Sequence, residues 1–159
     1  MEKKTIVFDF DGVIHRYSKG WQDGSVYDKP VDGIKEVVEQ LRNEYKIVIV
    51  STRSSTKEGK ESILNWLKKY NIKVDDVLKE KPPAIMYIDD RAINFNGNCK
   101  TLIEKIKNFK SWTEKSRKVC PCCGKEFFID NIYNNRTKYC SIECRIRSNI
   151  EMERKKRGE

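Results

Sequence analysis

Three short apolar runs, each ending abruptly on polar residues, constrain this chain more than any other feature. TIVFDF (5–10) carries Asp9 and runs on to Asp11 and Gly12, KIVIVSTR (46–53) ends on Ser51, Thr52 and Arg53, and AIMYIDD (84–90) ends on Asp89 and Asp90. Runs without polar alternation read as strands buried on both faces. The segments between them have helical spacing: VDGIKEVVEQLRNEY (31–45) lines up Ile34, Val37, Val38, Leu41 and Tyr45, and KESILNWLKKY (60–70) lines up Ile63, Leu64, Leu67 and Tyr70. A short strand near VDDVLK (74–79) and a closing helix in TLIEKIKNF (101–109) complete the pattern. It predicts an α/β fold with a parallel sheet covered on both faces.

In such sheets the functional crevice lies beyond the carboxyl ends of the strands. Asp9, Asp11, Ser51, Arg53, Asp89 and Asp90 should therefore converge on one edge. Carboxylates gathered there stay ionised only beside a cation, and a hard divalent ion such as Mg2+ suits oxygen ligands. The set has the parts of a phosphoryl-transfer site. Asp9 is the candidate nucleophile, Asp11 the candidate acid/base, Ser51 a donor to a phosphoryl oxygen, and a lysine the neutralising charge. Any one of these acids, taken singly, more often reads as a turn or cap residue.

The composition changes after residue 109. Residues 1–109 carry 20 Lys+Arg against 17 Asp+Glu, whereas 110–159 carry 13 against 7, and five of the six cysteines fall within residues 120–144. The expected organisation is a core at 1–110, a linker at 111–116 and a second module at 117–159. In that module Cys120 and Cys123 form a C-x2-C pair, and Cys140 and Cys144 form a C-x3-C pair. The spacing predicts a closed tetrahedral Zn2+ site that supplies the folding energy of a segment too small for its own core. Disulfides are the alternative in an oxidising compartment. Cys122 competes with Cys123 as ligand and is read as a spectator.

The four strand-end motifs together resemble the haloacid dehalogenase (HAD) superfamily of phosphohydrolases. DFDGV (9–13) matches its first motif, VIVSTR its second with Ser51, KPPA its third with Lys81, and YIDDRA its fourth with Asp89 and Asp90. The resemblance spans about residues 4–108. It implies a Rossmann-like sheet, an aspartyl-phosphate on Asp9 and Mg2+ held by Asp9, the Asp11 backbone carbonyl and a fourth-motif acid, with Asp89 preferred and Asp90 joint or behind it. The third-motif lysine is Lys81, with Lys79 as alternative. A full cap domain has no room here, and HRYSKGWQDGSVYD (15–28) is at most a flap. STR with IDDR also resembles the phosphatase half of phage-type polynucleotide kinase, which acts on nucleic-acid ends. The matching residues are Ser51, Arg53, Asp89, Asp90 and Arg91, and Gly12, Thr52, Arg53 and Arg91 are the candidate substrate-binding residues.

The cysteine segment resembles short zinc-ribbon or treble-clef modules, in which a hairpin around KEFFI and TKY packs on a helix beginning near Ser141. That helix would offer Arg145, Arg147, Arg154, Lys155, Lys156 and Arg157 to phosphates; a solvated face, or a module that only stabilises or dimerises, are the other readings. His15 reads as a loop residue without a role, with a substrate contact as the alternative, and Cys99 as a small apolar packing residue. Trp66 and Tyr70 read as core, and Trp21 and Tyr27 as stacking candidates or, equally, as surface packing. No apolar run approaches a membrane span and MEKK does not open a signal sequence, so the expectation is a soluble cytoplasmic phosphatase using Mg2+ and Zn2+ on a nucleic acid or nucleotide. The rivals are a small-molecule phosphatase with a structural zinc module and a non-catalytic nucleic-acid-binding adaptor.

Overall fold

The computed structural model describes residues 2–129 and 137–157. The chain divides into two units, Met1–Phe109 and Lys110–Glu159.

The first unit is built on four parallel strands: β1 (Thr5–Asp9), β2 (Lys46–Val50), β3 (Asp76–Leu78) and β4 (Met86–Ile88), in the order β3-β2-β1-β4. Helices α1 (Ile34–Leu41) and α2 (Lys57–Lys69) join the early strands, and α3 (Leu102–Lys107) follows β4. Register is direct, with Val7 beside Val48 and Tyr87. Alternation along the strands sends Ile6, Phe8, Ile47, Ile49 and Val77 to one face, where Val38 of α1 and Ile63, Trp66 and Leu67 of α2 cover them. Val7, Val48 and Val50 form a smaller cluster with Leu78 and Ala84. Burial of this kind contributes about 25 cal/mol per Å2 of apolar surface.

Helical spacing located the elements better than the buried face. Val37 and Leu64, expected on the covered rows, are exposed, while Trp66 is buried. Trp66 packs edge-on to Phe10 with centroids 5.3 Å apart. The cover expected from the 101–109 helix is missing: α3 forms but buries no residue. Met86 and Tyr87 of edge strand β4 are exposed too.

The second unit contains α4 (Trp112–Lys115), a hairpin of β5 (Arg117–Val119) and β6 (Glu126–Phe128), and α5 (Ile142–Arg157). Two expectations are corrected here. The segment 111–116 is not a linker: Ser111, Thr113 and Ser116 are buried, and the Ser111 hydroxyl caps α4 by accepting from the Glu114 N–H at 3.4 Å. Short polar side chains that bond locally made it read as a connector. Also, β6 pairs with 117–119 rather than with TKY (137–139), because the CPCCGK turn closes directly between those strands. The Cys120 N–H donates to the Lys125 carbonyl at 2.9 Å, and Gly124 adopts a φ of +70°. Part of the spacer between the cysteine pairs, 130–136, lies outside the described residues.

Candidate functional site

The strand order places β1 between β2 on one side and β4 on the other. The chain first winds outward through β2 and β3, then crosses back to β4, so the direction reverses at β1 and β4. Ligand crevices of open α/β sheets form at such a reversal, outside the carboxyl ends. Asp9 ends β1, and Asp89 and Asp90 follow β4 at that edge.

Oxygens of Asp9, Asp89 and Asp90 lie within 4.8 Å of one another. The three carboxylates differ in their partners. Asp89 accepts from the Lys81 ammonium at 3.2 Å and from the Arg91 N–H at 2.9 Å. Asp90 has both oxygens buried, and neither has a hydrogen-bond partner. Burial first, and then the neighbouring Asp89 and Asp11 charges, push Asp90 up to about 6 against the pull of Arg91. Burial and then Asp89 push Asp9 up to about 7, opposed by its bond from the Phe10 N–H.

An unpaired buried carboxylate costs free energy unless something compensates it. A divalent cation among these three acids would do so, and the donor set is all oxygen, as Mg2+ prefers. The residues therefore fit such an ion. Gly12 is part of the cradle: its φ is +90°, and a Cβ there would meet Asp90 Oδ2 at 2.5 Å. Only glycine lets the backbone pass that close.

The carboxylate of Asp11 stands outside this trio and is clamped instead. Its Oδ1 lies 2.7 Å from His15 Nδ1, and its Oδ2 accepts from Arg53 Nε at 2.7 Å. The Asp28 N–H donates to His15 Nε2 at 2.9 Å, so Nε2 is the acceptor and Nδ1 carries the proton that reaches Asp11. His15 is fully buried, stacked on Phe10 and edge-on to Tyr27 and Trp66. Its reading as an idle loop residue is corrected. The only hint in the sequence was its spacing of four from Asp11.

Arg53 also departs from its expected role. It is buried between the rings of Tyr17 and Trp21, 5.8 and 5.1 Å from their centroids, and its guanidinium also donates to the Gly24 carbonyl. It works as a strut between flap and Asp11 rather than as an open substrate ligand. Ser51 is buried at the edge, its hydroxyl accepting from the Arg53 N–H at 3.3 Å, while Thr52 is exposed. Arg91 is exposed, with its charge felt at Asp90. Lys81 reaches the acids, whereas Lys79 pairs with Glu80 at 3.3 Å. The Tyr87 hydroxyl bonds the Pro82 carbonyl at 2.7 Å and steadies the KPPA turn.

In the second unit the sulfurs of Cys120, Cys123, Cys140 and Cys144 also lie within 4.8 Å of one another. Cys123 and Cys140 are 3.5 Å apart, and Cys140 and Cys144 3.7 Å. A tetrahedron with metal–sulfur bonds of about 2.3 Å has edges of roughly 3.8 Å, so the cluster can hold a metal such as zinc. Burial raises the Cys120 thiol, but N–H groups of Cys140, Cys123 and Cys122 outweigh it and bring it down to about 6. Cys140 is pushed up to about 12, first by its bond with Cys123. Cys122 is raised by burial and by Cys144, and it lies outside the group of four. Cys99 is exposed, which corrects its reading as a packing residue.

By fold and site, the chain is an α/β protein with a four-stranded parallel sheet, an acidic trio at its switch point and a four-cysteine cluster able to bind a metal. Among the described residues no helix is long and apolar enough to cross a membrane. Comparison with family models, with curated proteins and with solved structures finds no match.

Proposed function

We propose that this chain is a HAD-type, Mg2+-dependent phosphomonoester hydrolase acting on nucleotides or phosphorylated nucleic-acid ends, with Zn2+ holding its second unit together. The observation that carries the reading is the meeting of Asp9, Asp89 and Asp90 at the switch point, with both buried oxygens of Asp90 unpaired. Mg2+ would be held by Asp9 and Asp90 and would neutralise charge on the phosphoryl group. Asp90 is preferred to Asp89 as the ligand, because Lys81 and the Arg91 N–H already occupy Asp89.

Asp9 attacks phosphorus: a bond from its carboxylate oxygen forms while the ester P–O bond breaks, and the leaving oxygen takes its proton from Asp11, which regains one in the second step. Water then attacks the aspartyl-phosphate, loses its proton to Asp11, and the Asp9–phosphorus bond breaks. His15 and Arg53 hold Asp11 in orientation through both steps. Ser51 donates to a phosphoryl oxygen, and Lys81 offsets the charge on Asp89. The basic end of α5, Arg154, Lys155, Lys156 and Arg157, would attract a polyanionic substrate.

The test is phosphate release from phosphorylated oligonucleotides, nucleotides and sugar phosphates, with and without Mg2+, in the parent and Asp9→Asn. Mg2+-dependent release abolished by Asp9→Asn is expected. Equal release by both proteins would sink the assignment.

A further inference from the structure

We propose that Trp21 is a platform for a planar base, so that the site takes a nucleoside phosphate in preference to the phosphate of a plain sugar; the inference rests on the phosphatase reading above. Trp21 is 64% exposed, a large ring left open in a loop whose other rings, Tyr17 and Tyr27, are buried and half-buried. It is nonetheless held. The Arg53 guanidinium lies 5.1 Å from the ring centroid, itself 7% exposed and fixed by Asp11 and the Gly24 carbonyl. A Cβ on Gly24 would touch the indole at 3.9 Å, so the flap backbone borders the ring.

The ring is thus backed by a pinned cation while most of it stays open. By the path through Arg53, it lies within roughly 9 Å of the Asp11 carboxylate. That is the reach of a sugar carrying a base at one end and a phosphate at the other. Aromatic faces stack on any base, and an arginine behind the ring adds a cation–π contribution.

The other aromatic residues of this region are already committed. Tyr27 is half-buried, with its hydroxyl donating to Gly20 and accepting from the Lys19 N–H at 2.9 Å each, and its ring against His15. Tyr17 is buried beneath Arg53. The Trp66 indole is buried and donates to the Asp28 carbonyl at 2.8 Å.

Calorimetry in the full-length Asp9→Asn background would compare AMP, ribose 5-phosphate and a 5′-phosphorylated oligonucleotide, with Trp21, Trp21→Phe and Trp21→Leu. Turnover of AMP and ribose 5-phosphate would be compared with Asp9 intact. The preference for AMP over ribose 5-phosphate should fall roughly 5- to 100-fold in Trp21→Leu and be largely kept in Trp21→Phe. Trp21 dependence with AMP alone would point to free nucleotides, and dependence with the oligonucleotide alone to strand ends; either supports the platform. The same preference in Trp21 and Trp21→Leu proteins overturns it. If the parent turns over nothing, the phosphatase reading falls, while the binding preference still judges the platform.

Discussion

Replacing the proposed nucleophile should make the metal-free protein more stable. Asp9 is pushed from 3.8 up to about 7, chiefly by burial and then by Asp89. Its raised value means the folded state holds the proton more tightly than the unfolded chain. Below about pH 4 both states are protonated and there is no penalty. Between about pH 4 and 7 the folded state binds more protons, so stability falls as pH rises, and above about 7 the penalty is complete. A shift of about 3 units corresponds to about 4 kcal/mol, and solvent on the open side reduces this to on the order of 2–4 kcal/mol. Asp9→Asn removes the charge and keeps an acceptor for the Phe10 N–H. In Mg2+-free buffer at pH 8, urea unfolding followed by tryptophan fluorescence should show a gain of that order for Asp9→Asn, shrinking towards pH 4. Added Mg2+ should stabilise the parent and have much less effect on the variant, because the cation compensates the same charge. An Asp9→Asn protein less stable than the parent at pH 8, or a difference unchanged between pH 8 and pH 4, would refute the reasoning.

Four other outcomes follow from the geometry. Gly12→Ala should destabilise the first unit by about 1–3 kcal/mol in urea unfolding and weaken Mg2+ binding, because the left-handed backbone and the 2.5 Å approach to Asp90 both oppose a Cβ. His15→Leu should lower kcat by roughly 10-fold or more, and the loss should be larger for alkyl phosphates than for p-nitrophenyl phosphate, whose leaving group needs no proton. His15→Asn, able to donate to Asp11 from nearly the Nδ1 position, should recover part of it. Lys81→Ala should lower turnover more than Lys79→Ala, since only Lys81 bonds the acids in the structure. Finally, the chain should bind about one zinc through its cysteines; Cys120→Ser should lose most of that zinc by elemental analysis, and stripping the metal should melt α5 by circular dichroism.

The strands and helices were legible because each is written in local periodicity. An apolar run such as KIVIV has few conformations that bury it, and the helical rows around Val38 and Ile63 need only the 3.6-residue repeat. The approach of the two cysteine pairs was legible for a similar reason: two short turns present paired sulfurs wherever the chain lets them meet. The change in composition near residue 110 was visible as well, and the structure divides after Phe109. Periodicity says less about which rows are covered, since that depends on which elements pack nearby. So α3 forms with its isoleucines exposed, and Leu64 stays outside the core although Ile63 and Leu67 of the same helix are buried.

At the acidic edge, the residue types and their strand-end positions were in the sequence, but their partners were not. Asp89 and Asp90 are neighbours with the same side chain, and what makes them different is their surroundings: Lys81 from the KPPA turn and the Arg91 N–H bond Asp89, while Asp90 is buried against Gly12 without a partner. His15 depends on an N–H thirteen residues away and on rings from β1's end and α2. Arg53 left β2 looking like an open substrate ligand, and became a strut because residues 17–24 fold over it. Local sequence determined which chemistry arrives at the sheet edge, because strands carry their end residues with them. Tertiary structure decided which of those groups are paired, buried or left open, because pairing and burial are set by segments distant in sequence.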